Sequence, residues 1–168
     1  MGFYDQRILP HVINCACGTG PIMKQRQKVV PLASGVVLEI GIGTGRNLPY
    51  YDPAKVERLI GLDPSERSWA LARERAAHVD FAVEFIGLPG EQIPLADASV
   101  DTVLVTYALC TIPDPVAALQ GMGRVLRPGG KLIFCEHGRA PDPAVCKWQD
   151  RLNDFWKSVL GGCNLNRD

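Results

Sequence analysis

Val37-Leu38-Glu39-Ile40-Gly41-Ile42-Gly43-Thr44-Gly45, followed by Leu59-Ile60-Gly61-Leu62-Asp63, decides the fold of this chain. The first run reads as a buried strand that breaks into a glycine turn and a helix start. The second reads as another buried strand that ends on an acid. Asp63 lies 22 positions after Gly41. A strand, a glycine turn and an acid at the next strand's end are the layout of a nucleotide-type cofactor site.

Outward from that stretch, strands and helices alternate, the mark of an α/β fold with a parallel sheet. Strands are expected at residues 36–40, 58–63, 83–87, 102–107 and 131–135. The fourth is apolar almost throughout, as a central strand covered on both faces should be. Between the first two, Pro49 and Pro53 allow only a short, irregular helix. A helix is expected over about residues 65–77, with Trp69, Ala70, Arg73 and Ala77 at helical spacing. Asp114-Pro115 and Asp142-Pro143 each supply an N-cap and a first-turn proline for a further helix. The last helix carries the stripe Val145, Trp148, Leu152, Phe155, Trp156 and Val159, and ends at Gly161-Gly162. Its aromatic residues read as core, with a substrate wall as the alternative.

The 168 residues fit one domain: an N-terminal cap at 1–34, a cofactor-binding core at 35–137, and a C-terminal helix and tail at 138–168. The composition is 46% hydrophobic and 21% charged, with zero net charge. No basic excess marks a nucleic-acid binder. No run of ~18 apolar residues marks a spanning helix, and the first residues lack the pattern of a signal peptide. Phe3, Tyr4, Ile8, Leu9, Val12 and Ile13 recur at helical spacing, ahead of the basic Lys24, Arg26 and Lys28. That cap suits packing over the domain's own cofactor cleft, with peripheral contact at a membrane surface as the alternative. Cys15, Cys17, Cys110, Cys135, Cys146 and Cys163 form no zinc pattern by spacing, so no metal is expected. They read as free thiols of a reducing cytoplasm.

Ligands of such sheets bind at the strands' carboxyl ends, where strand order reverses between the first and fourth strands. Gly41, Gly43 and Gly45 lie on the turn there, and Asp63 can accept hydrogen bonds from both hydroxyls of an adenosine ribose. The spacing is G-x-G-x-G, not the G-x-G-x-x-G of dinucleotide sites. Glu39, inside the strand end, would repel a pyrophosphate but suits a zwitterionic ligand bearing a sulfonium. Tyr51-Asp52-Pro53-Ala54-Lys55 matches the Y-x-x-x-K of short-chain dehydrogenases by letter, but sits just after the glycine turn with a proline inside it. Together these favour S-adenosylmethionine over a nicotinamide cofactor.

The chain resembles the class I S-adenosylmethionine-dependent methyltransferases. Four blocks carry the likeness, in family order over residues 36–137: Leu38–Gly45, Gly61–Ser65, Ile93–Asp101 and Arg124–Gly130. Within that superfamily it is most similar to the branch of membrane-associated proteins that methylate thiols, on Leu109-Cys110-Thr111, Glu136-His137 and Gly162-Cys163-Asn164-Leu165-Asn166-Arg167. The resemblance implies a Rossmann-like sheet of order 3-2-1-4-5. It implies that the glycine turn holds the cofactor's methionine end and that Asp63 and Pro64 lie at its ribose. Adenine belongs near Leu88, Pro89 and Gly90, with Thr106 and Tyr107 lining the cofactor. Many relatives carry an Asp near Pro89 for the adenine amino group. None stands here, so that task falls to backbone groups, Glu91 or Gln92. The acceptor is then a small or lipid-like molecule: a thiol, a phospholipid amine or a quinone-type carbon. His137 is the candidate base, because its pKa range suits proton transfer; Glu136 is second.

Members of this class usually carry seven strands, and this sequence stops before the last two. A bare fifth strand is a pairing hazard, so a homodimer through that edge is expected. A non-catalytic cofactor binder is the alternative to an active enzyme.

Overall fold

The computed structural model describes Val12, Cys15 and residues 17–168. The stripe expected over residues 3–13 lies, except for Val12, outside the described residues. Helix α1 (Gly20–Val29) runs into a short 3-10 turn at Val30–Leu32. Then come β1 (Gly35–Ile40), a second 3-10 turn at Leu48–Tyr50, β2 (Val56–Leu62) and α2 (Glu66–Ala76). β3 (Ala82–Ile86), β4 (Val100–Thr106), α3 (Pro115–Val125), β5 (Leu126–Cys135) and α4 (Pro143–Val159) complete the order.

The five strands form one parallel sheet of order β3-β2-β1-β4-β5, as expected. Adjacent side chains on a strand face opposite ways, so β1 feeds two cores. Leu38 and Ile40 join Ile60, Leu62, Val103 and Val105 beneath Ala118, Met122 and Val125 of α3. Val37 joins Leu59, Leu104, Val30, Leu48 and Tyr51 on the other face. The two prolines reduce the element after the glycine turn to the 3-10 turn. Ser65, Asp114 and Asp142 cap their helices through side-chain oxygens, accepting from backbone N–H groups within the first turn. In α2 the inward face is Ala72 with Trp69, which stacks on Phe85 with ring centroids 4.8 Å apart. Ala70, Arg73 and Ala77, expected on that face, are exposed.

β5 starts earlier than expected. Val100 pairs with Leu126, but Thr102 pairs with Lys131, so residues 127–130 bulge out of the ladder around Gly129 at φ +81°. The regular run is Lys131 onward, the stretch the sequence indicated.

The reading of the α4 aromatics as core fails. No residue of α4 is buried, and Trp148 and Phe155 are 61% and 68% exposed. The helix is amphipathic, but β5 is the last strand of the sheet, and no described element covers the stripe. Phe134 on β5 is exposed as well. No described helix is long and apolar enough to cross a membrane.

Candidate functional site

The carboxyl ends of β1, β2, β3 and β4 meet at one edge, and the expected cofactor residues gather there. Gly41, Gly43 and Gly45 have φ of +71°, +52° and +73°, a region that L side chains rarely adopt. Gly41 is doubly constrained, because a Cβ built on it would lie 2.5 Å from that of Ala108. Its N–H donates to the Leu62 carbonyl at 2.7 Å, which folds the turn back over β2. Gly43 donates its N–H to Asp63 Oδ2 at 2.9 Å, and Ser65 donates its own to Asp63 Oδ1 at 2.8 Å. Each oxygen retains acceptor capacity for a hydroxyl. Burial raises the Asp63 carboxyl above its usual range, and these two N–H groups pull against it. Pro64 is exposed beside it.

Glu39 is buried, with both oxygens engaged. Asn47 Nδ2 donates to Oε1 at 2.9 Å and Tyr51 Oη donates to Oε2 at 2.7 Å. Burial pushes this carboxyl up to about 7, against those hydrogen bonds and the charge of Arg26. Glu39 thus feels the charge of a cation supplied by the protein, which reaches it through Asn47, a feature the sequence reading did not contain. Arg26 is 6% exposed. It donates to Asn47 Oδ1 at 2.8 Å and Thr106 Oγ1 at 2.6 Å, and lies 5.1 Å from the centre of the Tyr107 ring. Tyr107 has φ +53°, an outlier of the kind that concentrates at functional sites.

Arg26, Asn47 and Tyr51 escaped the sequence reading. Arg26 was visible only as one member of a basic run. Tyr51 is no catalytic tyrosine; it holds Glu39.

Leu88, Pro89 and Gly90 follow β3 on the same edge, and Gly90 packs against Ile40 and Ile112. Glu91 Oε1 accepts the Asp114 N–H at 3.1 Å. Its Oε2 is buried with no partner among the described residues. A buried carboxylate oxygen without a donor costs free energy, and the exocyclic amine of an adenine would supply the donor. Gln92, the other side chain considered there, is exposed. The residues present therefore fit the cofactor at both its ribose and adenine ends.

The expected acid–base pair lies beyond β5. Glu136 Oε1 accepts the N–H groups of Ala108 and Leu109 at 2.8 and 3.1 Å, while Oε2 is buried without a partner among the described residues. It clamps the turn after β4, and burial raises its carboxyl. His137 Nε2 lies 3.3 Å from Cys163 Sγ, which lies 3.6 Å from Cys110 Sγ. The hydrogen bond with Cys110, with help from His137, draws the Cys163 thiol down to about 4. The same contacts raise Cys110 and His137. Cys163 had no role in the sequence reading beyond its place in the tail phrase.

Residues 38–134 match the family described as "Methyltransferase domain". The chain is 38% identical over 143 residues to human thiol S-methyltransferase TMT1B, which takes in 81% of this chain and 57% of that protein. It is 31% identical over 122 residues to the demethylmenaquinone methyltransferase of Clavibacter sepedonicus, covering 73% of this chain and 49% of that one. The chain thus spans about half the length of these relatives. A solved structure of a putative methyltransferase from Bacillus halodurans C-125 superposes with a TM-score of 0.71 at 20% identity, covering 89% of this chain and 64% of that one. That likeness speaks to the fold. With the glycine turn, Asp63 and the 3-2-1-4-5 sheet in their places, the chain belongs to the class I S-adenosylmethionine-dependent methyltransferase family.

Proposed function

We propose that this chain carries out methyl transfer from S-adenosylmethionine to a small or lipophilic acceptor, and that the acceptor is a thiol. The observation that carries the donor half is the cradle: three consecutive alternate glycines at positive φ, closed by the Asp63 carboxylate. Bound there, the donor supplies a methyl group made electrophilic by its sulfonium sulfur. The glycine turn admits the methionine end because no Cβ stands in the way. Asp63 accepts from the ribose hydroxyls and Glu91 Oε2 from the adenine amine. Tyr107, held from behind by Arg26 and Cys135, walls the side next to the acceptor.

The acceptor half rests on the thiol S-methyltransferase relative and on chemistry. A thiol needs only to lose its proton, since thiolates are strong nucleophiles near neutral pH. A hydroxyl or carbon acceptor would need a firm general base in line with the methyl group. Glu136 is already committed to two backbone N–H groups, which makes it a positioning residue for the turn after β4. His137 is the remaining proton-handling group of the two, and it faces Cys163. The exposed Phe134 and the α4 stripe support a homodimer through the β5 edge. A peripheral membrane contact through the N-terminal segment remains the accompanying reading for a lipophilic acceptor.

Calorimetry with S-adenosylhomocysteine tests the donor half: binding is expected, and no heat at millimolar ligand overturns it. Labelled donor offered with a thiol panel and, separately, with lipid extract tests the acceptor. Label in the thiols supports the proposal. Label only in lipid amines or quinones moves the substrate class, in line with the demethylmenaquinone methyltransferase relative. Donor binding with no label transferred to anything assigns the chain to the non-catalytic binders.

A further inference from the structure

Three stretches far apart in sequence converge just beyond the carboxyl ends of β4 and β5. Cys110 comes from the loop after β4, His137 from the segment after β5, and Cys163 from the tail after α4. Their donor atoms all lie within 4.8 Å of one another. The two sulfurs are 3.6 Å apart, and Cys163 Sγ is 3.3 Å from His137 Nε2. Ligands of a tetrahedral zinc ion, with Zn–S of ~2.3 Å and Zn–N of ~2.0 Å, stand ~3.5–3.8 Å apart. Two of the three spacings are therefore close to tetrahedral edges, and the third, between Cys110 and His137, is within 4.8 Å, so a small side-chain adjustment would bring all three to the corners.

The corners are held by backbone, not by the side chains alone. Asn164 donates both its N–H and its Nδ2 to the Cys110 carbonyl, each at 2.9 Å. Arg167 reaches the carbonyls of Leu109 and Ile112, and its own carbonyl accepts the Arg139 N–H at 2.9 Å. Gly161 and Gly162, at φ +59° and +89°, turn the chain out of α4 so that Cys163 arrives over Cys110. Cys110 and Cys163 are 3% and 9% exposed, and His137 is half-buried. Two soft sulfurs and an imidazole select a borderline ion of the zinc type over magnesium or calcium.

We propose that Cys110, His137 and Cys163 are the three protein ligands of a single zinc-class divalent cation. Its fourth position is open to water or to an exogenous thiolate. Three protein ligands with one open position is the pattern of reactive zinc sites; structural ones close all four. His137 then acts as a ligand and not as the free base expected from its sequence position. The clause about a thiolate rests on the thiol reading above, whereas the metal site does not.

The test begins with reduced, metal-stripped protein titrated with Co2+, without donor or acceptor. One equivalent per chain is expected, with tetrahedral d–d absorption and sulfur-to-cobalt charge-transfer bands, and displacement by one equivalent of Zn2+. Cys110→Ser and Cys163→Ser should each remove a charge-transfer contribution, while Cys135→Ser and Cys146→Ser leave the spectrum unchanged; Cys17, whose charge interacts with those of Cys163 and Cys110, is the thiol that would otherwise fill the fourth position. Because the first reading is made on the unaltered chain, a variant that fails to fold does not decide it. No tetrahedral spectrum at stoichiometric Co2+, or a spectrum abolished by Cys17→Ser, overturns the assignment. So does a Cys110–Cys163 disulfide whose reduction restores no metal binding. Adding a monothiol to the cobalt form should add a further sulfur band. If the cobalt form is tetrahedral but indifferent to thiols, the site stands and its link to a thiol acceptor falls.

Discussion

Replacing Glu39 by Gln should make the protein more stable at pH 8 relative to pH 5, while weakening the site that Glu39 serves. The Glu39 carboxyl ionises at about 7 in the folded protein, against an ordinary value of 4.5. Folding therefore favours the protonated form. This contribution to stability is fully present below the unfolded value and declines as the pH rises from about 4.5 to 7. Once ionised in both states, the buried carboxylate costs about 3 kcal/mol, and most of that change falls between pH 5 and pH 8. Four groups face it: Tyr51 and Asn47 by hydrogen bonds, Arg26 and Asp63 by charge. A glutamine cannot ionise, so that slope vanishes. It does lose one good contact: its amide nitrogen either faces the Asn47 Nδ2 donor or donates to Tyr51 Oη and leaves the tyrosine proton without its carboxylate acceptor. That loss of about 1–3 kcal/mol applies equally at both pH values. The quantity to measure is the unfolding free energy of each protein in urea at pH 5 and pH 8, and then the difference of differences. Titrating groups that do not interact with Glu39, Asp101 among them, cancel in that subtraction. The variant should gain on the wild type by about 2–3 kcal/mol from pH 5 to pH 8. A gain below about 0.5 kcal/mol, which is near the scatter of such differences, refutes the reasoning. Weaker S-adenosylhomocysteine binding by the variant would show that the cost is retained for function.

Other perturbations separate the parts of the site. Gly41→Ala combines a left-handed φ with a Cβ 2.5 Å from Ala108; a loss of at least about 2 kcal/mol is expected in thermal denaturation. Unchanged stability would show that the turn relaxes freely. Glu91→Gln keeps an oxygen for the Asp114 N–H but replaces the unpartnered Oε2 with a donor. S-adenosylhomocysteine affinity should fall about tenfold by calorimetry, roughly 1.4 kcal/mol, and an unchanged affinity would place adenine elsewhere. Phe134→Lys together with Phe155→Lys alters two side chains that are 64% and 68% exposed. It should leave the melting temperature nearly unchanged while reducing the dimer fraction seen by light scattering. A wild type that is monomeric at micromolar concentration removes the dimer altogether.

The sheet was legible because its signals are local. A strand ending in Gly41-Ile42-Gly43-Thr44-Gly45 announces its own turn, the prolines at 49 and 53 announce the missing helix, and Asp114-Pro115 and Asp142-Pro143 announce their helix starts. The α4 stripe shows where such reading stops. Apolar spacing specifies that one face of a helix avoids water, but not which surface covers that face. In α4 no described surface does, so residues that read as core are exposed. The polar half of the site fails for a related reason. Arg26 stands in the polar run of residues 24–28, with Lys24 and Lys28 two residues to either side. Nothing local shows that this one cation, and not its neighbours, enters the sheet edge and meets Asn47 and Thr106.

The Cys110, His137 and Cys163 cluster is hidden by separation rather than by ambiguity. Metal patterns are recognised in sequence when ligands fall two to five residues apart on one turn or hairpin. Here the separations are 27 and 26 residues; the first interval holds α3 and β5, the second α4 alone. A parallel sheet turns such intervals into proximity. Each strand-and-helix unit returns the chain to the same edge, so residues just past the carboxyl ends of β4 and β5 become neighbours whatever their separation in sequence. The tail after α4 completes the set because its glycines bring Cys163 back to that edge. The same topology that places the donor cradle at the ends of β1 and β2 therefore assembles a second constellation beside it. Tyr107 and Ala108 connect them: Tyr107 lines the cradle on the function proposed above, Ala108 packs against Gly41, and Cys110 follows two residues later. A shift of the turn after β4 would move both constellations together. Glu136 fixes that turn through the N–H groups of Ala108 and Leu109, so on the function proposed above it is a strut between the donor and acceptor sides.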